Sequence, residues 1–562
     1  MSLVDDYLVE QMREFYCKQT GAKYEPIRET DEDARARRIT AYMNLIDRMI
    51  ARQVEELRAS SFDREDSEIN RYYRLLPEGP LKDQWRSLKT VFGAERARIE
   101  ETLRHHAVPG SIDVNIMTKV DAERGNGQKV GPEHSDAMSA LRGYALSSLR
   151  SAIVLSAGLN QKLYNYIAQF DDFFPDAAGK IKKKIVLKVS DYRSSIVQGK
   201  YLAKRGLWIS EYRIESGLNC GGHAFPTDGY LMGPILEEFK NRRGELVESL
   251  HDMYVSALIS RGRQAPTRPL EMRVTVQGGI GSADEQDMLL NYYELDGTGW
   301  ATPFLLVPEV TNVDDIHLER LIAARTEQDV YLSEASPFGI PFWTLRESAS
   351  EQSRRQRIAD GHPGSACPRG YLRLHNTEFT KLPLCTAARA YVKRKLAHLD
   401  EENLTPEQRE LVEAGVLAKS CICHDLAGGA TLKHGIDPDA KTAVCSGPNI
   451  VNFGRIATLE EMVDHIYGRI SLLTKSDRPH MFITELNLYV EYLRKELDRH
   501  ALGLSMRTPK YLTEFRNNLL TGVEYYRGLA GQFIEEKRGR FEAELTRLRE
   551  EIEQLPLLNP VA

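Results

Sequence analysis

The chain has 562 residues, 42% of them hydrophobic and 28% charged, and its 75 Lys and Arg against 81 Asp and Glu give a net charge of −6. This composition is typical of a globular protein of several units and excludes a disordered chain, and the absence of a strongly basic block argues against nucleic acid as a partner. No apolar run reaches the roughly 20 residues of a membrane span, and the first residues lack a signal-peptide pattern. We therefore expect a cytoplasmic protein that does not bind membranes.

The first part of the chain, residues 1–105, has a helical pattern throughout. Within residues 36–60, apolar residues recur every three or four positions, as on one face of an amphipathic helix. No strand pattern occurs there. We predict an N-terminal helical region.

Residues 106–345 alternate between β-rich runs and helical stretches. Strands and helices in strict alternation predict parallel pairing. Seven such runs favour a TIM-like (β/α)8 barrel over the alternative, a doubly wound open sheet. The runs lie at 113–120, 151–159, 184–191, 207–217, 272–279, 297–306 and 329–337.

Two further regions follow the predicted barrel, a Cys-rich segment at 346–455 and a C-terminal helical region at 456–562. Residues 346–370 are polar and rich in Gly and Ser, which predicts a linker or surface loop. One helix in the Cys-rich segment has Thr405 as its N-cap, Pro406 at its first position and Gly415 as its stop.

The C-terminal region begins with a predicted capping box formed by Thr458 and Glu461. Its last helix carries a narrow apolar seam, which serves either packing within the chain or a homo-oligomer contact. The seam consists of Ile534, Phe541, Leu545, Leu548, Ile552 and Leu555.

Three strand ends carry unusual residues: "NCGGH" at 219–223, "VTVQGGI" at 274–280 and "DGTGWATPF" at 296–304. Gly278 and Gly279 precede an apparent helix, so their backbone N–H groups would face an anion, and Thr302 adds a hydroxyl. Neighbouring ends of this type form the phosphate site of many barrels. A simple turn is the alternative explanation of each glycine pair.

In this order and spacing, the three motifs resemble the nitronate monooxygenase (2-nitropropane dioxygenase-like) family of FMN-dependent barrels. Further similarities are "DVNIM" at 113–117, "IVLSAG" at 153–158 and "SPFGIPFWTL" at 336–345. The resemblance covers roughly residues 110–345, and enoyl reductases of fatty-acid and polyketide synthesis share the same frame.

The resemblance implies an FMN site. Gly221 and Gly222 would let the backbone approach the flavin, and Asn115 would contact the isoalloxazine. Gly278, Gly279 and Thr302 would bind the phosphate. His223 would be the catalytic base or donor, since a histidine is partly neutral near pH 7; a structural histidine beside a turn is the alternative.

The chain departs from the family at several positions. Asn219 and Cys220 replace an acidic residue and an alanine, and Ala301 replaces a glycine before Thr302. The family's first two strands have no visible counterpart before residue 110. Either a partner subunit or another segment closes the barrel, the candidates being residues 329–345, 415–425 and 441–454.

Five of the seven cysteines lie between residues 367 and 445. In a reducing compartment, clustered thiols are more often metal ligands or redox groups than disulfides. The spacing suits an iron–sulfur cluster better than zinc, with incidental thiols or a persulfide relay as alternatives. The chosen ligands are Cys385, Cys421, Cys423 and Cys445, with Cys367 as the substitute.

Together these features predict an FMN-dependent oxidoreductase of the nitronate monooxygenase-like type. Its substrate would be a small molecule with an acidic carbon or an activated alkene. Two alternatives are an enoyl reductase acting on an acyl thioester and a non-catalytic, metal-binding scaffold or accessory subunit. No nicotinamide fingerprint is present, so the substrate and the electron donor or acceptor stay open.

Overall fold

The N-terminal region consists of helices. The computed structural model describes the chain except residues 4, 117–130, 157, 223–227, 367–375, 382, 534 and 557–562. In α1, the Asp5 side chain caps the first turn by accepting from Leu8 N–H. The helices are α1 (Asp6–Thr20), α2 (Ala34–Ala59), α3 (Glu68–Leu75), α4 (Pro80–Ser87) and α5 (Gly93–His106).

A six-stranded parallel sheet follows, with its strands in chain order. The predicted β-rich runs are therefore confirmed as strands, although several are shorter than expected. The strands are β1 (Val114–Ile116), β2 (Ser151–Leu155), β3 (Lys183–Val189), β4 (Ile209–Glu215), β5 (Arg273–Gln277) and β6 (Gly297–Gly299). The connecting helices are α6 (Asp136–Ala145), α7 (Gln161–Ile167), α8 (Tyr192–Ala203), α9 (Met232–Ser260) and α10 (Ala283–Asp287).

The predicted (β/α)8 barrel is wrong for the described residues, because the sheet is open between β6 and β1. The predicted seventh run forms β7 (Val330–Ser333), which pairs antiparallel with β8 (Phe342–Leu345) in a separate sheet. The outer edge of β1 is instead extended by the start of the chain, where Ser2 forms a parallel bridge with Asn115. None of the three segments proposed to close the barrel joins the six-stranded sheet.

The predicted loop at 346–370 is also wrong in part, since most of its first half is helical. Ser348 caps this helix by accepting from Glu351 N–H, a signal that the polar composition concealed. The predicted helix after Thr405 has the expected capping box but continues past Gly415 to Leu417. The helices here are α11 (Asp315–Ala323), α12 (Ala349–Ala359), α13 (Arg389–Leu399), α14 (Pro406–Leu417), α15 (Ile422–Asp425) and α16 (Gly428–Lys433).

The C-terminal region is helical as predicted, and the capping box of Thr458 and Glu461 is confirmed. The apolar seam packs within the chain: Phe541, Leu545, Leu548 and Ile552 are buried in the main core, and Ile534 lies outside the described residues. The helices are α17 (Leu459–Ile466), α18 (Met481–Ala501), α19 (Pro509–Leu529) and α20 (Glu535–Gln554).

Two large apolar cores meet near the carboxyl edge of the sheet. The main core joins the sheet to α1, α2 and the C-terminal helices. The second core joins β7, β8 and α11 to Leu218, just after β4, and to Cys445. A small third core lies among α3–α5. The four predicted domain boundaries stay predictions. In the described part of the chain, no helix is long and apolar enough to cross a membrane.

Candidate active site

The chain makes a tight turn where β4 ends, at the carboxyl edge of the sheet. Ser216 N–H donates to the Gln277 carbonyl of the neighbouring strand at 3.1 Å, and Leu218 N–H donates to Ser216 Oγ at 3.0 Å. The Trp343 indole N–H donates to the Gly217 carbonyl at 3.0 Å. These bonds fix the start of the predicted "NCGGH" motif against both cores.

Gly278 and Gly279 follow β5 and lie directly against this turn. Both have positive φ angles, 105° and 82°. A Cβ on Gly278 would lie 3.1 Å from Asn219 N, and one on Gly279 would lie 2.6 Å from Leu218 Cδ1. Close packing between two loops therefore explains both glycines without a ligand.

The chain's own carboxylate lies where the predicted phosphate site would need an anion. Glu285 is 2% exposed and accepts from Gly281 N–H at 2.8 Å and Met481 N–H at 2.7 Å. Arg478 lies 2.6 Å from Glu285 and also donates to the Gly279 carbonyl at 2.7 Å. Burial alone would raise the pKa of Glu285, but Arg478 and His480 hold it below its usual value. The Glu285 carboxylate is thus ionised, and the positive charge of Arg478 already balances its negative charge.

Two cysteines that are 225 residues apart in the sequence meet at the end of β4. The Cys220 thiol donates to the Cys445 carbonyl at 3.0 Å. In return, Gly221 N–H donates to Cys445 Sγ at 3.3 Å, and that thiol lies 3.8 Å from the Gly222 carbonyl. Each sulfur therefore contacts the backbone beside the other cysteine.

Both thiols are protonated at neutral pH. Burial raises the pKa of Cys220, the neighbouring Cys445 raises it further, and a hydrogen bond with Thr302 lowers it in part. Burial also raises the pKa of Cys445, against smaller lowering effects of backbone groups at Gly221 and Gly222. Since the thiolate is the nucleophile and the metal ligand, neither cysteine is activated in this state.

The backbone at Gly221 and Gly222 is open. Gly221 has a φ of 80°, and a Cβ there would meet none of the described atoms within 4 Å, while one on Gly222 would meet Asn219 Nδ2 at 3.5 Å. Asn219 is 6% exposed, and its Oδ1 is buried without a hydrogen-bond partner. Buried polar atoms are normally paired, so the unpaired Asn219 Oδ1 is unusual. This corner therefore has both free space and a hydrogen-bond acceptor without a partner.

The other predicted flavin contacts are not gathered at this corner. Thr302 is close, but its hydroxyl bonds to Cys220, and a Cβ on Gly447 would lie 2.8 Å from Thr302 Oγ1. Asn115 lies in β1, which β2 and β3 separate from β4. His223 follows Gly222 in the sequence but lies outside the described residues. Its catalytic role stays a prediction.

The four predicted metal ligands do not form a group in the described part of the chain, where no three His, Cys, Asp or Glu side chains could hold a metal ion together. Cys421 precedes α15 and Cys423 lies within it, Cys385 lies before α13, and Cys445 contacts the Cys220 turn. Cys367 lies outside the described residues. The iron–sulfur cluster therefore stays a prediction.

A buried carboxyl group supports the turn from behind. Glu485, on α18, is 2% exposed and accepts from Met232 N–H at the start of α9 at 2.8 Å. Hydroxyl groups of Ser216 and Tyr526 also bond to it, but burial dominates and raises its pKa to about 7. Glu485 thus joins the C-terminal helices to the end of β4.

Sequence reasoning missed two features of this site. The sharp loop "SGPN" after Cys445, in which Gly447 has a φ of 65°, is predicted to present Cys445 to a metal, whereas Cys445 contacts Cys220. The Glu285–Arg478 pair has no local sequence signal, because its members are 193 residues apart.

Comparisons with known proteins do not assign a family. No family model matches the chain, and no curated protein matches it. One solved structure with some likeness is the enoyl reductase domain of MlnA from the macrolactin biosynthesis cluster of Bacillus amyloliquefaciens, with 14% identity and a TM-score of 0.34. That match covers 69% of this chain and 85% of the other. A likeness at this TM-score carries no argument about fold or function, and the nitronate monooxygenase resemblance stays a prediction from the motifs.

Proposed function

We propose that the protein is a flavin-dependent oxidoreductase whose substrate reacts at the corner formed by Asn219, Gly221 and Gly222. One observation carries this proposal: a Cβ added at Gly221 would meet none of the described atoms within 4 Å, and the nearby Asn219 has a buried Oδ1 without a hydrogen-bond partner among the described residues. Ligands of parallel α/β sheets bind at the carboxyl ends of the strands, which is where this corner lies.

The corner fits the ring end of FMN. Asn219 Oδ1 is buried, so the side-chain amide would turn toward the corner to accept a hydrogen bond from a ring N–H, and Gly221 leaves room for a flat ring to approach the backbone. When bound, flavin would supply two-electron transfer. The chain would supply a base or proton donor from His223 and a protonated thiol from Cys220.

The residues expected to hold the phosphate do not fit that role. Gly278 and Gly279 pack against Leu218 and Asn219, and the nearby N–H of Gly281 already binds Glu285. The phosphate contacts once expected of Gly278, Gly279 and Thr302 are therefore not part of this proposal.

Reduction of an activated alkene, as in an enoyl reductase acting on an acyl thioester, is the second candidate. It needs a proton donor for the substrate carbon, whereas oxidation at an acidic carbon needs a base. The Cys220 thiol is protonated at neutral pH and would be the donor in this candidate, although burial makes it a weak acid and its proton is bonded to the Cys445 carbonyl. Cys220→Ser would lower the rate of alkene reduction and leave proton abstraction by His223 unchanged.

Flavin binding is tested by titrating the purified full chain with FMN and following the quenching of flavin fluorescence. Gly221→Ala places a methyl group in the open corner, so we expect FMN affinity to fall roughly tenfold or more, a loss of about 1.4 kcal/mol or more. The unaltered protein must first show saturable binding of FMN.

Gly339→Ala is the matched control. Gly339 also has a positive φ, 70°, and no atom within 4 Å of an added Cβ, so both alanines carry the same backbone strain of about 1–2 kcal/mol. Only Gly221→Ala should weaken FMN binding. A chain that binds no flavin, or equal losses in both variants, would contradict the proposal.

A further inference from the structure

The face of the six-stranded sheet opposite the main core is charged, and we call it the concave face because a cavity lies against it. Side chains alternate along each strand, and Ile185 and Leu187 of β3 enter the main core, so Lys184 and Val186 face the other way. That opposite face borders a cavity of about 820 Å³. This volume lies within the range of roughly 300–1,000 Å³ that is typical of small-molecule sites.

Three cations, two just before β2 and β3 and one within β3, lie close together along the lining of this cavity. Ala152 pairs with Lys184 in the β2–β3 register, and Ser151 pairs with Lys183. If this register continues one residue before the two strands, Arg150 lies beside Lys182. Both residues are two positions before Ala152 and Lys184, so they lie on the same face of the sheet as Lys184. Strands are about 4.8 Å apart, and like charges facing each other on adjacent strands are destabilising.

The charges lining the cavity are only partly compensated. Asp113 and Glu211 lie 3.0 Å and 2.8 Å from Arg213, and Lys182 lies 2.7 Å from Asp172. Among the described residues, three lining cations form no side-chain hydrogen bond or ion pair, against one such acid, Glu271. The unpaired cations are Arg150, Lys180 and Lys184.

A further lysine lies on the opposite face of β3, next to this cluster. On the opposite face, Lys183 is fully buried and its ammonium donates to Ser147 Oγ at 2.9 Å. Its pKa falls to about 8 through burial and, next, through the charge of Lys182. The charge of Lys182 thus disfavours the charged form of Lys183.

We propose that this cavity binds a small molecule bearing a phosphate or diphosphate group through Arg150, Lys180 and Lys184. Three unpaired cations call for a ligand with more than one negative charge. The guanidinium group of an arginine forms bidentate hydrogen bonds with phosphate oxygens, and a lysine ammonium group adds a compact positive charge. Arg150 and Lys180 precede β2 and β3, and Lys184 is the second residue of β3, so all three cations lie toward the amino ends of these strands, whereas the Asn219 corner lies at the carboxyl end of β4.

The test is isothermal titration of the full chain with inorganic pyrophosphate at about 0.15 M ionic strength, where surface attraction is screened beyond about 8 Å. We expect saturable binding. Lys184→Gln and Arg150→Gln should each weaken it roughly tenfold, the effect of losing a hydrogen bond between charged groups. Both side chains are exposed, so neither change should prevent folding, which circular dichroism verifies.

Lys89→Gln is the matched control, because Lys89 is exposed and outside the cavity lining. Its pyrophosphate affinity should equal that of the unaltered chain. Absence of pyrophosphate binding, an equal loss in Lys89→Gln, or citrate binding as tightly as pyrophosphate would each overturn the proposal. None of these outcomes depends on flavin, so the result is independent of the proposed oxidoreductase activity.

Discussion

At the carboxyl edge of the sheet, buried charges have partners from distant parts of the chain, whereas several cations on the concave face have none. Glu285 is held by Arg478 and two backbone N–H groups. Arg150 and Lys184, by contrast, extend into a cavity without an ion pair among the described residues. The difference indicates that charges at the edge hold the fold together, while those on the concave face are available to a ligand.

The largest effect should follow from breaking the pair at the edge. Arg478→Met leaves the Glu285 carboxylate buried without its cation, and we expect the free energy of unfolding to fall by about 3–5 kcal/mol. Urea denaturation measures this. Arg494→Met, which removes a half-exposed partner that α18 provides for Glu551 of α20, should cost less than about 1 kcal/mol. Equal losses would remove the contrast between buried and exposed pairs.

The second effect concerns pH and Glu485. Its pKa is raised from 4.5 to about 7 in the folded chain, so the protonated acid is favoured by folding. That stabilisation is fully present below pH 4.5 and is lost as pH rises through about 7, a change of about 3 kcal/mol. Glu485→Gln keeps an acceptor for Met232 N–H and cannot ionise. Its stability, measured by denaturation from pH 4 to 8, should lack this loss.

The stability of the unaltered chain and that of Glu485→Gln could instead change in parallel from pH 4 to 8. In that case, ionising the Glu485 carboxyl group would not lower the free energy of unfolding. Glu485 would then tolerate a charge as the exposed side chains of the concave face do. The contrast between the two regions would not hold for this residue.

The smallest effect should be on the concave face itself. Lys184→Gln removes one of several like charges from an exposed position, so we expect the free energy of unfolding to change by less than about 0.5 kcal/mol, in the stabilising direction. Thermal denaturation at low salt checks the sign. A loss of several kcal/mol would mean that Lys184 belongs to a packed interior.

The alternation of side chains explains why the strands could be predicted but the barrel could not. The runs at 151–159 and 184–191 have the apolar content of buried strands, and both form strands. A closed barrel, however, fills its interior with layers of branched apolar residues. Here the inward positions include Lys184, Arg213 and Thr275, and the one small apolar cluster on that face is Ala152, Val154 and Val186. The alternation of polar and apolar side chains is visible in the sequence. A prediction made from the order of strands and helices alone does not use it.

The candidate site was predictable in part. The glycines after β4 and β5 mark the ends of the strands that meet there. Their reasons differ, since Gly221 borders open space while Gly279 packs against Leu218. Both sequences read "GG", and only the neighbours in space distinguish them.

Local signals in the sequence determined the helix caps and the strands, because a cap such as Thr458 with Glu461, or a run of β-branched residues, involves contacts within a few positions. The tertiary structure alone decided which distant groups meet. Cys220 and Cys445, Glu285 and Arg478, and Ser2 and Asn115 are each separated by more than a hundred residues. Such pairs form because tertiary packing brings distant segments of the chain together, and no local pattern encodes that packing.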